Sequence, residues 1–426
     1  MHTYSFTHQD IHSFINKLFI QLDNSNQVYM LHSGLAKTAQ PPNYHNFDYL
    51  IGIGTQERYQ FKSIKDLKAN YKVTPTKAWH FIEIEYNSYN ADNKEFSIKL
   101  TEPEILIKII ENEVLLSSTT YSPQQLEDYV ADISNILIHT TAVPRSATIS
   151  IQSEIDFNEY SEKFNNIIEY IIKGDVYELN LCVNHHLTID NIYDSLFKYY
   201  QKAIQTKLAP PFSAYIKDEN RQVLCLSMER FLAKTGNKLI SQPIKGTRPR
   251  HQNEDLDAKL AIELENSIKD RAENIMIVDL VRNDLSKISK NGTVTVDELC
   301  SVYSYSSVHQ MISTISAELL PNYNFPDVIS ALFPAGSMTG APKSSAMQII
   351  KELEPSFRNL YSGNIGYIAP NGDFDLNVVI RTLFWNNVES QPTAFAGGAI
   401  TIDSEVIEEW TEIQNKMNVW SKLFTS

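Results

Sequence analysis

The pattern that most constrains the fold is a series of short β-branched and aromatic segments separated by turns. In the second half of the chain these segments include SAYIK, VLCLSME, GNIGYIA, LNVVIRTLFW and TAFAGGAITI. Only a few long amphipathic patterns stand between them. Strand segments joined mainly by turns, with a few long helices, are typical of an α+β fold in layers and disfavour regular βαβ winding.

Several helices are predicted with recognisable ends. Ser122 opens one, and Gly174 follows the last turn of another, where a left-handed residue commonly ends a helix. A long acidic helix is predicted from about Glu254 to Val281, and the last helix opens at Ser404. A further helix is predicted near residues 191–207.

Composition and charge limit the classes of function. The 426 residues are 42% hydrophobic, enough for one large or two ordinary cores. Three isolated cysteines offer no zinc or disulfide framework. The net charge of −14 disfavours nucleic acid and anionic membranes as partners. An anionic ligand must therefore be held by local groups.

The ends and the middle of the chain suggest its compartment and its organisation. No run of about 18 apolar residues occurs and the first residues lack a secretory pattern, so the cytoplasm is the expected compartment. The composition changes near residues 139–150. This change predicts an N-terminal region, 1–145, followed by a second domain, 150–426.

Two predicted helices carry carboxylates. Glu263, Asn266, Asp270 and Glu273 share one face of the long acidic helix, opposite Leu260, Leu264, Ile268 and Ile275. Glu409, Glu412 and Lys416 share one flank of the last helix. Two such helices could hold a hard cation such as Mg²⁺, which uses one or two protein carboxylates. Solvated helix faces with an i,i+4 Glu–Lys pair remain the alternative.

Other polar residues could bind an anion. The segment FPAGSMTGAPK places Ser337 in a glycine-containing loop before a helix, and AGGAITID places Gly397 and Gly398 at a strand end. Arg381 lies in the alternating strand LNVVIRTLF, so it is expected to point inward toward a carboxylate. The ordinary alternatives are a loop that needs glycine for its geometry and a structural ion pair.

Two further residues have both an ordinary and a functional interpretation. Lys245, in SQPIKGTRPR, could be a solvated charge on a turn, and His309, in SVHQM, could be a core histidine. Residue type alone does not decide between these interpretations.

Taken together, the chain resembles the chorismate-utilising enzymes over about residues 150–426. The segments that carry the resemblance, in the family's order, are PIKGTRPR, DRAENIMIVDLVRNDL, SVHQM, PAGSMTGAPK, GNIGYI, LNVVIRTLF and AGGAITIDS. The resemblance implies a layered α/β/β/α sandwich and a chorismate-binding catalytic domain. Near the start, VYMLHSG and FDYLIGIG resemble the N-terminal region of anthranilate and aminodeoxychorismate synthases.

Within the family, the lysine of PIKGT is similar to that of aminodeoxychorismate synthase component I. The resemblance implies that Lys245 attacks C2 of chorismate as the C4 hydroxyl leaves, and that ammonia then adds at C4. The amine must be neutral for this step, a state that burial beside other cations favours. Glu229 in LSMERF matches the general acid, a role that needs a raised pKa.

The same resemblance implies a Mg²⁺ site and a set of substrate contacts. Glu273 and Glu412 match the metal ligands, with Asp270 and Glu409 as nearby carboxylates. His309 matches a histidine beside the substrate ring. The residues that match substrate-binding positions are Arg381, Tyr367, Gly397, Gly398, Ser337, Thr247 and Lys416.

Three residues depart from the family pattern. Glu178 stands where relatives usually carry glutamine or lysine, Met228 replaces a common proline, and Ala399 replaces a glycine. Of these, Glu178 adds a further anion near the expected site.

The source of ammonia is expected to be another subunit. No cysteine lies in a glycine-rich nucleophile turn such as GxCxG, so a separate glutamine amidotransferase is the expected partner. The implied product leads to 4-aminobenzoate and folate. Two alternatives stay open, namely anthranilate synthase component I and a non-catalytic regulator that binds chorismate or tryptophan.

Overall fold

The computed structural model describes residues 1–33, 47–71, 78–86, 97–138, 146–190, 195–206, 208–305, 308–386 and 391–425. Its helices are α1 Ile11–Asn24, α2 Ile64–Asn70, α3 Pro123–Ser134, α4 Phe157–Lys173, α5 Leu196–Gln205, α6 Glu254–Asn266, α7 Ile268–Ser286, α8 Phe325–Leu332, α9 Lys343–Leu353 and α10 Val406–Thr425. None of these helices has the length and apolar character to cross a membrane.

The strands are short and numerous. They are β1 His2–Thr7, β2 Val28–His32, β3 Tyr49–Ile53, β4 Glu57–Phe61, β5 His80–Ile84, β6 Ile98–Glu102, β7 Ile105–Ile110, β8 Glu113–Ser118, β9 Ile149–Ser153, β10 Glu178–Ile189, β11 Phe212–Lys217, β12 Arg221–Ser227, β13 Arg230–Thr235, β14 Lys238–Gln242, β15 Ile244–Pro249, β16 Thr295–Ser304, β17 Val308–Glu318, β18 Gly340–Ala341, β19 Asn364–Ile368, β20 Phe374–Asn377, β21 Thr382–Asn386 and β22 Thr393–Ile400.

The strands form two large sheets. The first sheet has the order β1-β8-β7-β3-β2-β11-β12-β21-β22-β10-β18, with β9 also paired to β10. The second sheet has the order β15-β17-β14-β13-β20-β19-β5-β6-β4, with β16 also paired to β17. Neighbouring strands of known register run antiparallel, as in β10 with β22 and β19 with β5. The predicted α+β class is confirmed.

Three apolar clusters show how the layers stack. One packs the first sheet against helices, including Phe164 of α4 and Trp420 of α10. A second lies between the two sheets, where Leu31 and Ala214 of the first meet Phe81 and Ile365 of the second. A third packs the second sheet against α2, α7 and α8. Each sheet therefore packs one face on the other sheet and its opposite face on helices. The order of the layers is helices, sheet, sheet, helices.

Helix ends follow their capping residues. Ser122 and Gln125 form a capping box at α3, and Gly174 ends α4 with φ 84°, as the sequence predicts. The predicted helix near residues 191–207 is α5, whose first predicted residues, 191–194, lie outside the described ranges.

The predicted acidic helix from Glu254 to Val281 is wrong in its continuity. Ser267 separates α6 from α7 with ψ 113°, and its side chain accepts a hydrogen bond from the Asp270 backbone N–H. Ser267 therefore caps a new helix instead of continuing the old one. Ile268 is 86% exposed and Ile275 is 39% exposed, although the single-helix pattern placed both on the apolar face opposite the carboxylates.

The predicted strand LNVVIRTLFW is also interrupted. β20 ends at Asn377 and β21 begins at Thr382, while Arg381 between them has φ 49°. The intervening backbone bonds elsewhere: Val378 N–H donates to the Glu229 carbonyl oxygen, and Val379 N–H donates to the Gly363 carbonyl oxygen. These two hydrogen bonds take the place of the regular strand pairing that a continuous strand would have between Asn377 and Thr382.

Both sheets take strands from the predicted N-terminal region and from the predicted second domain. β2 of the first region pairs with β11, and β5 pairs with β19. The division at 145 and 150 stays a prediction about sequence organisation, and residues 139–145 lie outside the described ranges. In the described residues, the two regions share their apolar cores.

Candidate active site

A cavity of about 1750 Å³ lies where α7, α10, β15 and β22 meet. The predicted site residues that line it are Glu229, Lys245, Thr247, Asp270, Glu273, Ser337, Arg381, Gly397, Glu409, Glu412 and Lys416. They come from segments far apart in sequence. The fold therefore brings most of the predicted site together in one place.

Glu229 is a buried acid at the junction of β12 and β13. It is 5% exposed, and its Oε1 accepts a hydrogen bond of 2.7 Å from the Ser337 hydroxyl. Burial raises the pKa of Glu229 to about 7, and the Ser337 hydrogen bond and the nearby Lys245 charge offset only part of that rise. A carboxyl with this pKa can donate a proton near neutral pH.

Ser337 is held in place by a network that ties its loop to β10. Asn180 Nδ2 donates to the Ser337 carbonyl oxygen at 2.9 Å. Arg358, 1% exposed, donates to the Met338 carbonyl oxygen at 2.6 Å and to the Asn180 carbonyl oxygen at 2.8 Å. Glu354 supplies the paired carboxylate, 2.5 Å from Arg358 Nη2. The buried charge is thus fully paired, and it fixes the loop that faces Glu229.

Lys245 forms an ion pair with Glu178 at the cavity wall. The distance from Lys245 Nζ to Glu178 Oε1 is 2.6 Å, and the two side chains are 10% and 1% exposed. Glu178 begins β10, where it pairs with Ala341 of β18. The strands approach closely because residue 340 is glycine: a Cβ there would lie 2.1 Å from the Glu178 carbonyl oxygen.

The charge on Lys245 differs from the sequence expectation. Burial by itself lowers the pKa of Lys245, but Glu178, Glu273 and Glu229 surround the amine with negative charge and raise it. The other cations that the sequence interpretation placed beside the amine are not among the groups that shift its pKa. Its neighbours are carboxylates, because Glu178 is an additional anion at this position, so Lys245 rests as a cation.

Two carboxylates of α10 line the cavity, and their pKa values are shifted in opposite directions. Glu412 Oε1 lies 2.6 Å from Lys416 Nζ; burial would raise the pKa of Glu412, but Lys416 outweighs burial and the pKa is lowered. Glu409 Oε1 accepts a hydrogen bond of 2.8 Å from Ser404, and burial raises its pKa. Lys416 also donates to the Gly397 carbonyl oxygen at 2.6 Å.

Two carboxylates of α7, Asp270 and Glu273, also line the cavity. Asp270 Oδ2 accepts a hydrogen bond of 2.9 Å from Arg248. Burial raises the pKa of Glu273 to about 7; the Lys245 charge opposes the rise, and the Glu178 charge adds to it. A bound cation would stabilise the ionised form of Glu273.

These oxygens fit a magnesium ion that a substrate helps to bind. Within the described ranges, no three acidic, histidine or cysteine side chains are grouped closely enough to form a ready-made metal cage. Glu273 and Glu412 nevertheless line one cavity from two helices. Mg²⁺ commonly takes one or two protein carboxylates and completes its shell with water and substrate oxygens. The donor set fits that arrangement and not a cation held by protein alone.

Arg381 is a half-buried cation, and the structural ion pair considered as an alternative for it is not formed with any described carboxylate. Its Nη1 donates to the Lys416 carbonyl oxygen at 3.5 Å, and no described carboxylate lies within ion-pair distance of it. Burial lowers the pKa of Arg381. The left-handed backbone at Arg381 turns the side chain toward the cavity, where an anionic ligand could pair with it.

Three predicted site residues do not line the cavity, namely His309, Tyr367 and Gly398. His309 is 1% exposed, with its Nδ1 2.7 Å from Ser304 Oγ and its Nε2 3.1 Å from Asp257 Oδ1, so both ring nitrogens are engaged in the protein interior. Tyr367 packs against Phe47 and Trp79 between the sheets.

Gly398 acts through a neighbour instead of lining the cavity. A Cβ at this position would lie 2.6 Å from Glu409 Oε2. Gly398 therefore leaves room for the Glu409 carboxylate, which does line the cavity.

Sequence reasoning missed Lys269, which lines the cavity at the start of α7. Its charge lowers the pKa values of Glu273, Glu409 and Glu412 as a minor cause. The sequence feature that could have identified Lys269 is its spacing, because Lys269 precedes Glu273 by one helical turn and so lies on the same helix face.

The chain belongs to the family of chorismate binding enzymes, whose model matches residues 17–422. Its fold is similar to that of the menaquinone-specific isochorismate synthase of Escherichia coli, with a TM-score of 0.75, 16% identity, and coverage of 99% of this chain and 94% of that one.

Among curated proteins, the chain is 41% identical over 267 residues to aminodeoxychorismate synthase component 1 of Escherichia coli, a match that covers 63% of this chain and 58% of that protein. It is 40% identical over 286 residues to the protein of the same name from Klebsiella aerogenes, with coverage of 66% and 62%. The chain thus matches about six tenths of the length of these relatives.

Proposed function

We propose that the protein converts chorismate and ammonia to 4-amino-4-deoxychorismate. The observation that carries the proposal is the lysine at position 245, which lines one cavity together with the buried acid Glu229. A lysine nucleophile and a nearby acid whose pKa lies near neutrality are the two groups that this substitution requires. Relatives at about 40% identity that are named aminodeoxychorismate synthase component 1 support it.

The proposed chemistry proceeds in two substitutions. The neutral amine of Lys245 forms a bond to C2 of chorismate, the ring double bond shifts, and the C4 hydroxyl leaves as water with a proton from Glu229. Ammonia then bonds to C4, the double bond shifts back, and the bond from C2 to Lys245 breaks. Glu229 regains a proton from the new C4 ammonium group. Overall, one ammonia enters and one water leaves.

The charged cavity wall would orient the substrate. Arg381, without a carboxylate partner in the described residues, is suited to the enolpyruvyl carboxylate. Lys416, Thr247 and the backbone near Gly397 line the same cavity and would complete the polar contacts.

Magnesium is the cofactor that we propose for this site. Glu273 and Glu412 would hold it, with Asp270 and Glu409 nearby. When bound, the ion would neutralise the ring carboxylate of chorismate and fix its orientation. The residues of the chain would perform every proton transfer.

A separate glutamine amidotransferase would supply the ammonia in the cytoplasm. The absence of a GxCxG-type turn from the sequence, together with the words component 1 in the relatives' names, supports this partner. The product would then serve as the precursor of 4-aminobenzoate for folate synthesis.

A product assay tests the proposal. Purified protein is incubated with chorismate, Mg²⁺ and either an ammonium salt or glutamine, and the products are separated by liquid chromatography and identified by mass and by comparison with standards. We expect 4-amino-4-deoxychorismate with ammonium and no product with glutamine alone. Anthranilate as the product would favour the anthranilate synthase alternative, and binding without turnover would favour a regulator.

A further inference from the structure

The Glu178 carboxylate is the closest anion to the Lys245 amine. Their contact is 2.6 Å, Glu178 is fully buried, and its other oxygen, Oε2, has no hydrogen-bond partner in the described residues. Lys245 lines the cavity, whereas Glu178 does not. Glu178 therefore stands behind Lys245, on the side away from the substrate space.

Carboxylates from four elements interact with the Lys245 charge. They are Glu178 on β10, Glu273 on α7, Glu229 between β12 and β13, and Glu412 on α10. Their combined charge favours an ammonium group, which has no lone pair and cannot attack carbon. The proposed reaction thus requires a proton to leave Lys245 before the first substitution.

Position and bonding distinguish the four possible proton acceptors. Glu412 is paired with Lys416 at 2.6 Å. Glu229 accepts a hydrogen bond from Ser337 and must already carry a proton to act as the acid. Glu273 has no ion-pair contact with Lys245 among those within 4.0 Å in the described residues. Among the described residues, Glu178 alone has an ion-pair contact with the amine, and pairing with Ala341 of β18 fixes its backbone.

We propose that Glu178 is the general base that takes the proton from the Lys245 ammonium group and later returns it. The transfer leaves a neutral amine and a neutral carboxyl group. After the second substitution the electron pair of the broken C2–N bond remains on Lys245, and the proton on Glu178 moves back to it. No oxidant, reductant or additional reactant is needed. This inference rests on the proposed amination.

The side-chain carboxylate is the essential feature of this proposal. A glutamine at 178 could hold the amine by a hydrogen bond, but it cannot accept a proton. The charge-neutral Glu178→Gln variant therefore separates proton transfer from simple positioning, and Glu178→Asp restores the carboxylate on a shorter side chain.

The test compares Glu178→Gln and Glu178→Asp in the wild-type and Lys245→Ala backgrounds, with chorismate, Mg²⁺ and ammonium chloride, from pH 6.5 to pH 9. We expect Glu178→Gln to lower kcat by about a hundredfold or more at pH 7, as loss of a proton acceptor typically does, with little change in KM for chorismate. The deficit relative to wild type should narrow as pH rises, because solvent then removes the proton from Lys245. Glu178→Asp should recover part of the rate.

In the Lys245→Ala background, Glu178→Gln should cause no further loss, because there is no amine left to deprotonate. The inference is overturned if Glu178→Gln keeps the wild-type kcat, if its deficit is the same at every pH, or if the deficit persists in full without Lys245. Should Glu178→Gln fail to fold, a pH-independent deficit in the folded Glu178→Asp variant overturns it equally. A wild-type rate in Lys245→Ala alone would instead reject the proposed function.

Discussion

Glu229 and Lys245 form a pair of buried groups whose proton affinities depend on their surroundings. Burial raises the pKa of Glu229 to about 7, while three carboxylates raise the pKa of Lys245 above its usual value. The acid is thus ready to donate near neutral pH, whereas the amine must first lose a proton. Residue type alone suggested both roles, but the charge state of Lys245 depended on Glu178, which is 67 positions away in sequence.

The first prediction concerns the pH dependence that Glu229 imposes. Because the reaction needs its protonated form, kcat with ammonium should fall as pH rises through about 7, the pKa of Glu229. Glu229→Gln should lose about a hundredfold or more in kcat at pH 6.5.

Ser337→Ala provides a sharper control on the same pH profile. The Ser337 hydrogen bond favours the ionised form of Glu229, so its removal should raise the pKa and move the falling limb to higher pH. A limb that moves to lower pH, or that persists unchanged in Glu229→Gln, would assign the profile to another group.

At the scale of elements, capping and glycine signals were readable from the sequence, but contacts between distant elements were not. The ends of α3 and α4 follow from Ser122 and Gly174. The break at Ser267 was missed because Ser can also lie inside a helix, and only the hydrogen bond from Asp270 shows that it acts as a cap. The partner of His309, Asp257, lies on α6 and could not be inferred from local pattern.

The second prediction concerns the magnesium ligands on α7 and α10. Glu273→Gln or Glu412→Gln should abolish turnover without altering the fold. Each change keeps the shape of the side chain and removes only the negative charge of the carboxylate that binds Mg²⁺. Calorimetric titration of Mg²⁺ in the presence of chorismate should show weaker binding for both variants. Glu408→Gln, on the exposed side of α10, is the matched control and should behave as wild type. Normal Mg²⁺ affinity in both ligand variants would contradict the assignment.

The third prediction concerns the close contact between β22 and α10. In Gly398→Ala, the new Cβ would lie 2.6 Å from Glu409 Oε2, so the carboxylate must move while the strand can remain in place. We expect a thermal unfolding midpoint close to wild type and reduced affinity for Mg²⁺ with chorismate. A large fall in the midpoint with unchanged affinity in the folded fraction would show that position 398 matters for packing and not for the cavity.

At the scale of the whole molecule, the cavity depends on both sheets, and each sheet depends on both parts of the chain. β2 and β11 join in the first sheet, and β5 and β19 join in the second. Sequence patterns predicted most of the strands but could not give their order, because pairing between distant strands leaves no local signal. The α/β/β/α layering followed only from the family resemblance.

The fourth prediction follows from this shared construction. A fragment of residues 150–426 would expose the edges of β11 and β19 and the apolar cluster between the sheets. We expect it to lack a cooperative thermal transition and to bind a hydrophobic dye, because unpaired strand edges and apolar faces favour association. Cooperative unfolding near the midpoint of the full chain would instead establish an independent second domain.

The central claim is that the Lys245 amine takes part in chorismate amination. The most direct measurement is the rate of 4-amino-4-deoxychorismate formation by Lys245→Ala and by wild type, at saturating chorismate, Mg²⁺ and ammonium. The account predicts that kcat falls by about a hundredfold or more while KM for chorismate changes little, because the carboxylates of the substrate are held by other groups. Amination by Lys245→Ala at the wild-type rate would contradict the account and leave Lys245 as a structural cation.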